Sequence, residues 1–296
     1  MIELFNGVTL QHVENWDEIV QMPNFRTDIL ASTDDTRQVQ IVGTYDEPKL
    51  VRCGLRDCHK EHNKGFLVSI NNRLMTNVGR ICGRNAFKVD WITATSQYIA
   101  QRRDYDRKNL IRAFQDRLPL LDTELITLID GERGARWAAA LVGPLRTRNK
   151  GVPDAAIARI SDLIRADNGT LKISRQKTEA EREASRMGGA NSGGNQSQFI
   201  EEEVGFLRGI RAFSDELSLS KLVGTDLRPH LHTLRVAEVD ALPSNDLKDL
   251  ARLAGEVDAT VGRIRQSLSE HSDLLKRSNI AQLERVLEVA ADRRQL

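Results

Sequence analysis

No stretch of this chain approaches the roughly 20 consecutive apolar residues that a membrane-spanning helix needs, so the sequence predicts a soluble protein with no membrane partner. Aromatic residues are scarce, at 5% of 296 positions, while charged residues reach 29%. That mixture, rich in Leu, Ala, Arg, Glu and Asp, favours long exposed helices over a compact sheet enzyme. The phosphate loop G-x-x-x-x-G-K-[ST], the nucleophile elbow G-x-S-x-G and the metalloprotease signature H-E-x-x-H are all missing, which removes the enzyme classes those motifs carry. The start Met1-Ile2-Glu3-Leu4-Phe5 has neither a basic leader nor an apolar run, so a cytoplasmic location is expected. Cysteine is limited to three residues, an odd number that argues against a disulfide framework.

Those three cysteines, Cys53, Cys58 and Cys82, fall within one thirty-residue stretch, with His59 and His62 beside the second. Gly54-Leu55-Arg56-Asp57 is a short glycine-containing loop that turns two thiolates toward one point, and Gly83 allows a tight turn at Cys82. Three sulfurs plus one of two imidazoles match the four Cys/His ligands of a structural Zn²⁺ site. The competing readings are three unrelated buried thiols, or a redox pair, for which the two-residue spacing is missing. His59-Lys60-Glu61 forms a minimal H-x-E, but the P-C-x-x-C that accompanies it in zinc deaminases is absent, so a structural ion is expected rather than a catalytic one.

Local patterns place these residues. Val8, Leu10, Val13, Trp16, Ile19 and Val20 come close to helical spacing, and Pro23 ends that element, which predicts an acidic helical arm over residues 1–39. Gln40–Tyr45 reads as a strand, Asp46-Glu47-Pro48 as a turn, and Lys49–Arg52 as a second strand delivering Cys53. Gly65–Ile70 and Leu74–Val78 flank Asn71-Asn72-Arg73, whose asparagines tolerate the left-handed backbone of a tight hairpin. Arg84 onward looks helical. A two-cysteine loop, a β-hairpin, a third cysteine and a helix start, in that order, resemble the treble-clef group of zinc-binding modules over about residues 49–92. The resemblance implies a fourth ligand three residues after the third, where this chain has Asn85, a poor zinc ligand. The fourth ligand therefore shifts to His59 or His62. His62 is preferred because adjacent Cys58 and His59 would need unusual geometry, giving the metal set Cys53, Cys58, His62 and Cys82.

The formal charge of +1 is unevenly spread. Residues 1–48 carry nine acidic side chains against Arg26 and Arg37, while residues 51–150 carry nineteen basic against ten acidic. The favoured reading has the acidic arm packing against the basic middle; the alternative is a nucleic-acid-binding face over residues 51–150. Within it, Arg102 to Arg117 alternate with aspartates, whereas Arg133, Arg136, Arg146, Arg148 and Lys150 have only Glu132 nearby. Residues 93–187 are expected to be helical, with a charged helix over Ser174–Met187. Gly188 to Gln198 reads as a flexible linker, and Phe199–Leu219 as an amphipathic helix. From Leu247 through Val261 and Ile264 to Leu275, apolar residues step by three and four, the pattern of a coiled-coil seam or of one helix in an internal bundle, with a turn expected near Ser278-Asn279.

Together these readings predict an α+β chain: a zinc-stabilised hairpin module over residues 40–92, helical and basic to 187, a linker over 188–198, and a helical, partly coiled-coil region over 199–296. The function expected is that of a non-enzymatic interaction or adaptor protein, with a protein partner or self-association through the C-terminal helices and nucleic acid as the alternative partner.

Overall fold

A computed structural model of the chain describes residues 1–30, 38–58, 60–146, 154–187, 198–282 and 284. His59, the linker segment 188–197, Arg148 and Lys150 lie outside the described residues. The chain forms two compact units, residues 1–113 with 238–251, and residues 114–237 with 252–296. Among the described residues, no helix is long and apolar enough to cross a membrane.

The first unit is built on a five-stranded antiparallel sheet in the order β2-β1-β3-β4-β5. Its strands are β1 (Ile2–Phe5), β2 (Leu10–Val13), β3 (Val39–Arg52), β4 (Glu61–Ile70) and β5 (Leu74–Val78). The expected acidic helical arm is therefore a β-hairpin followed by a short helix, α1 (Trp16–Val20). Of the apolar residues read at helical spacing, Leu10 and Val13 lie in β2, where buried Val13 pairs with Ile2, while Trp16, Ile19 and Val20 are helical in α1. The two strands expected around Asp46-Glu47-Pro48 are one strand, β3, with a register shift between Asp46 and Val51 that accommodates the proline. The β4–β5 hairpin forms as read, with Asn71 at φ 51° and Asn72 at φ 53°.

Helix α2 (Arg80–Asp130) begins four residues earlier than its sequence suggests and breaks helical geometry at Lys88, where φ is 48°. Cys82 thus sits in a first helical turn rather than on the glycine turn expected. One face of the sheet packs Phe5, Ile41, Val68 and Val78 against Trp91 and Tyr98 of this helix. The other face buries Ile2, Val13, Ile19, Phe25, Tyr45 and Leu67. Acidic N-terminal residues pair with basic ones of the middle segment, Asp28 with Arg56 at 3.2 Å, Asp46 with Lys64 at 2.6 Å and Glu3 with Arg102 at 3.5 Å.

The second unit holds α3 (Ala135–Arg146), α4 (Asp154–Arg165), a two-stranded antiparallel ribbon of β6 (Thr170–Gln176) and β7 (Phe199–Phe206), and α5 (Glu179–Met187). Two short turns follow; α6 (Leu219–Lys221) then runs through a π-helical segment (Leu222–Leu227) into α7 (Arg228–Val236). The helix expected over Ser174–Met187 is split between β6 and α5, and the one expected over Phe199–Leu219 is a strand and 3-10 turns. Val142, Ile160, Leu171, Leu207, Phe213 and Leu274 form the core.

The last long helix, α8 (Ser244–Leu274), carries the apolar stripe read as a seam, and the residues of that stripe from Leu247 to Ile264 are buried within the single chain. In the second unit, Arg117 pairs with Asp258 and Glu124 with Arg265. Both partners advance by seven residues between those pairs, so α2 and α8 run in the same direction there. Helix α8 stops at Leu274, just before the expected turn, because Asn279 caps it. The Asn279 amide donates to the carbonyls of Leu274 at 3.1 Å and of Asp273 at 3.2 Å. The basic helix surface is compensated in part: Arg107 pairs with Asp104 and Arg112 with Asp240, and Arg136, from the run read as uncompensated, pairs with Asp130.

Candidate metal centre

Strand β3 ends at Arg52 and releases the chain into the Cys53–Cys58 loop, whose backbone is held from three sides. Cys53 N–H donates to Lys60 O at 2.9 Å and Gly54 N–H to Asn77 O at 2.9 Å, while Cys58 N–H closes a turn onto Leu55 O at 3.1 Å. On the outside, Ile29 N–H donates to Gly54 O and Arg56 N–H donates to Ile29 O, each at 2.9 Å, so the N-terminal segment runs alongside the loop. Strand β4 places His62 opposite Val51. Helix α2 brings Cys82 in from the far end of the hairpin.

These elements converge. The ligand atoms of Cys53, His62 and Cys82 all lie within 4.8 Å of one another, and the group can hold a metal ion. Cys58 lies beside this group, its Sγ 3.3 Å from that of Cys82. Two sulfurs bound to one tetrahedral ion at about 2.3 Å would stand about 3.8 Å apart, so the thiols need shift only by tenths of an ångström to share one. Cys53 is 4% exposed and belongs to the apolar cluster that includes Leu55, Val78 and Trp91. Among the described residues, no other group of three His, Cys, Asp or Glu side chains gathers in this way.

His62 provides the clearest sign of a missing partner. Its Nδ1 lies 2.6 Å from the Tyr45 hydroxyl, but its Nε2 is shielded from solvent and has no hydrogen-bond partner. An orphaned nitrogen in a dry site is costly unless something binds it, and here it stands among thiols. Burial lowers the His62 pKa, which keeps the ring neutral and able to donate a lone pair. Burial likewise pushes the Cys53 thiol up to about 12, and burial together with the hydrogen bond to Cys58 raises Cys82. Burial opposes ionisation of Cys58 too, but the Lys60 backbone and the two neighbouring thiols outweigh it and bring its pKa below the usual value. Without a cation, then, the cluster holds at most part of the charge that bound thiolates would carry; a divalent ion would displace the remaining protons.

Of the four residues grouped by the sequence reading, the structure gathers Cys53, His62 and Cys82, and Cys58 lies next to Cys82. That reading missed the residues around them: Tyr45, Asn77 and Gly79. Tyr45 and Asn77 come from β3 and β5, apart in sequence from the cysteine loop, and only strand pairing reveals them. Gly79 had a visible signal, a glycine at the end of β5, but its reason is spatial: a Cβ there would lie 2.5 Å from Cδ2 and 2.8 Å from Nε2 of His62. No protein-family model matches the chain, and neither a curated protein nor a solved structure does.

Proposed function

We propose that this chain is a non-enzymatic interaction protein whose first unit is stabilised by one structural Zn²⁺ bound through Cys53, Cys58, Cys82 and the Nε2 atom of His62. The observation that carries the reading is the buried, unpartnered His62 Nε2 set among three thiols. Three sulfurs and one imidazole are soft donors that favour zinc over the oxygen-seeking Mg²⁺ and Ca²⁺. Four protein ligands complete a tetrahedron and leave no position for a reacting water, which favours a structural ion over a catalytic one. Bound there, zinc would tie the β3–β4 loop, β4 and the start of α2 together, the elements whose order in the sequence resembles the treble-clef group.

The interaction half of the proposal rests on α2 rather than on the C-terminal stripe, whose residues are already covered. Ile92, Ile99 and Leu110 are exposed, and their spacing of seven and eleven residues puts them on one side of the helix. Exposed apolar residues aligned in this way suit contact with another protein. The nucleic-acid reading is less well supported, since Arg102, Arg107, Arg112 and Arg117 of the middle segment are engaged by carboxylates.

Elemental analysis and native mass spectrometry of protein purified without chelator test the metal, with one zinc per chain expected. Substitution with Co²⁺ should give the strong sulfur-to-metal absorption of a three-thiolate site, weakened in Cys82→Ser. Absence of stoichiometric zinc, and of uptake when zinc is supplied to reduced protein, would sink the proposal.

A further inference from the structure

We infer that Tyr45 is a positioning residue for this metal: its hydroxyl accepts the Nδ1 proton of His62 and so turns the lone pair of Nε2 toward the three thiols. The inference rests on the zinc reading above and adds to it which ring nitrogen coordinates and what holds it there.

A neutral imidazole carries one proton, so the 2.6 Å contact between Tyr45 and His62 admits two arrangements. If the tyrosine hydroxyl donates, the ring proton sits on Nε2, where no acceptor faces it and where it blocks coordination. If Nδ1–H donates instead, Nε2 is free to bind. Only the second arrangement leaves the buried Nε2 lone pair able to meet an ion. A ligand histidine characteristically gives its other N–H to a fixed oxygen, which sets both tautomer and ring orientation.

Tyr45 is built to be that fixed oxygen. It is 3% exposed, and its ring packs against Trp16 with centroids 4.9 Å apart. Its hydroxyl occupies the space where a side chain at position 65 would start, since a Cβ on Gly65 would lie 2.5 Å from it. The Asn77 amide nitrogen approaches the same oxygen at 3.5 Å and is itself anchored on Arg52 O at 2.9 Å. A phenolic oxygen has two acceptor lone pairs, so it can take the Nδ1 proton of His62 beside this amide. The opposite edge of the His62 ring rests on Gly79, so the ring is held from both sides.

Tyr45→Phe in the full chain is the test, because it keeps the ring packing and removes only the oxygen. Zinc affinity, measured by competition with a chromophoric chelator, should fall about 10- to 100-fold. The melting temperature of the metal-free protein should change little, a result that separates positioning from plain structural support. In zinc-loaded wild type, ¹⁵N spectra of the histidine side chains should show His62 bound through Nε2, with a slowly exchanging Nδ1 proton that is lost in the variant. Equal zinc affinity in wild type and Tyr45→Phe, or coordination through Nδ1, overturns this inference and leaves the zinc site standing. A wild type that takes up no zinc overturns both.

Discussion

The imidazole of His62 has the Tyr45 hydroxyl on one side and the backbone of Gly79 on the other, so the site tolerates almost no added volume at either contact. A methyl group at position 79 would stand 2.5 Å from Cδ2 of that ring, well inside van der Waals contact. The ring would have to move, and a shift approaching 1 Å takes Nε2 out of reach of an ion shared with the thiols. Gly79→Ala is therefore expected to lower zinc affinity at least about tenfold, the scale on which losing a supporting contact weakens a metal site. Chelator competition reads the loss, and circular dichroism of the metal-free protein should show that the sheet survives. Unchanged affinity would mean that His62 does not ligate the ion in the orientation seen here.

At the scale of elements, the cysteine loop is also the fastening point for the N-terminal segment. Ile29 bridges Leu55 as a short parallel strand, and Arg26 N–H and Met75 N–H exchange hydrogen bonds along the edge of β5, the first to Met75 O and the second to Asn24 O, each at 2.8 Å. A bound ion that fixes Cys53 and Cys58 thus fixes Gly54 and Arg56 between them. Chelation should speed hydrogen exchange at the amides of Ile29 and Arg56 about a hundredfold or more, while the amides of α8 near Val261 keep their protection. Hydrogen-exchange mass spectrometry before and after zinc removal measures this; uniform loosening of both regions would show that the ion does not act locally. What could be read from sequence follows the same division between local and distant causes. The β4–β5 hairpin was legible because Asn71 and Asn72 encode their own left-handed turn, and the approach of Cys53, His62 and Cys82 was legible because they crowd one segment. The N-terminal hairpin was not, since the apolar spacing from Val8 to Val20 suits a helix and only the pairing of β2 with β1, and of β1 with β3 about forty residues on, selects strands. The β6–β7 ribbon was missed for the same reason: Thr170–Gln176 and Phe199–Phe206 gain strand structure from each other across α5.

For the molecule as a whole, the open issue is whether the C-terminal stripe assembles chains or completes one. From Leu247 to Leu275 the stripe spans 29 residues, about 43 Å of helix, enough for a stable seam between two chains. Within the single chain, however, Val261 is 4% exposed and Ile264 0%. A little further along, the Ser267 hydroxyl is spent on Leu217 O at 2.7 Å, and His271 Nδ1 lies 2.7 Å from the carbonyl of Ser267, so the polar members of the stripe are satisfied internally as well. A surface already buried by its own chain has little left to offer a second copy. Replacing Val261 or Ile264 by Asp places a carboxylate where no cation waits, at a cost of roughly 3–5 kcal/mol, comparable to much of the 5–15 kcal/mol that stabilises an ordinary domain. Either substitution should melt the second unit without changing the association state, read as the molar mass from sedimentation equilibrium, while zinc stays bound in the first unit. If the wild type instead sediments as an oligomer and the substitution yields folded monomers, the stripe is shared between chains, and the exposed side of α2 loses its claim as the place where this protein meets a partner.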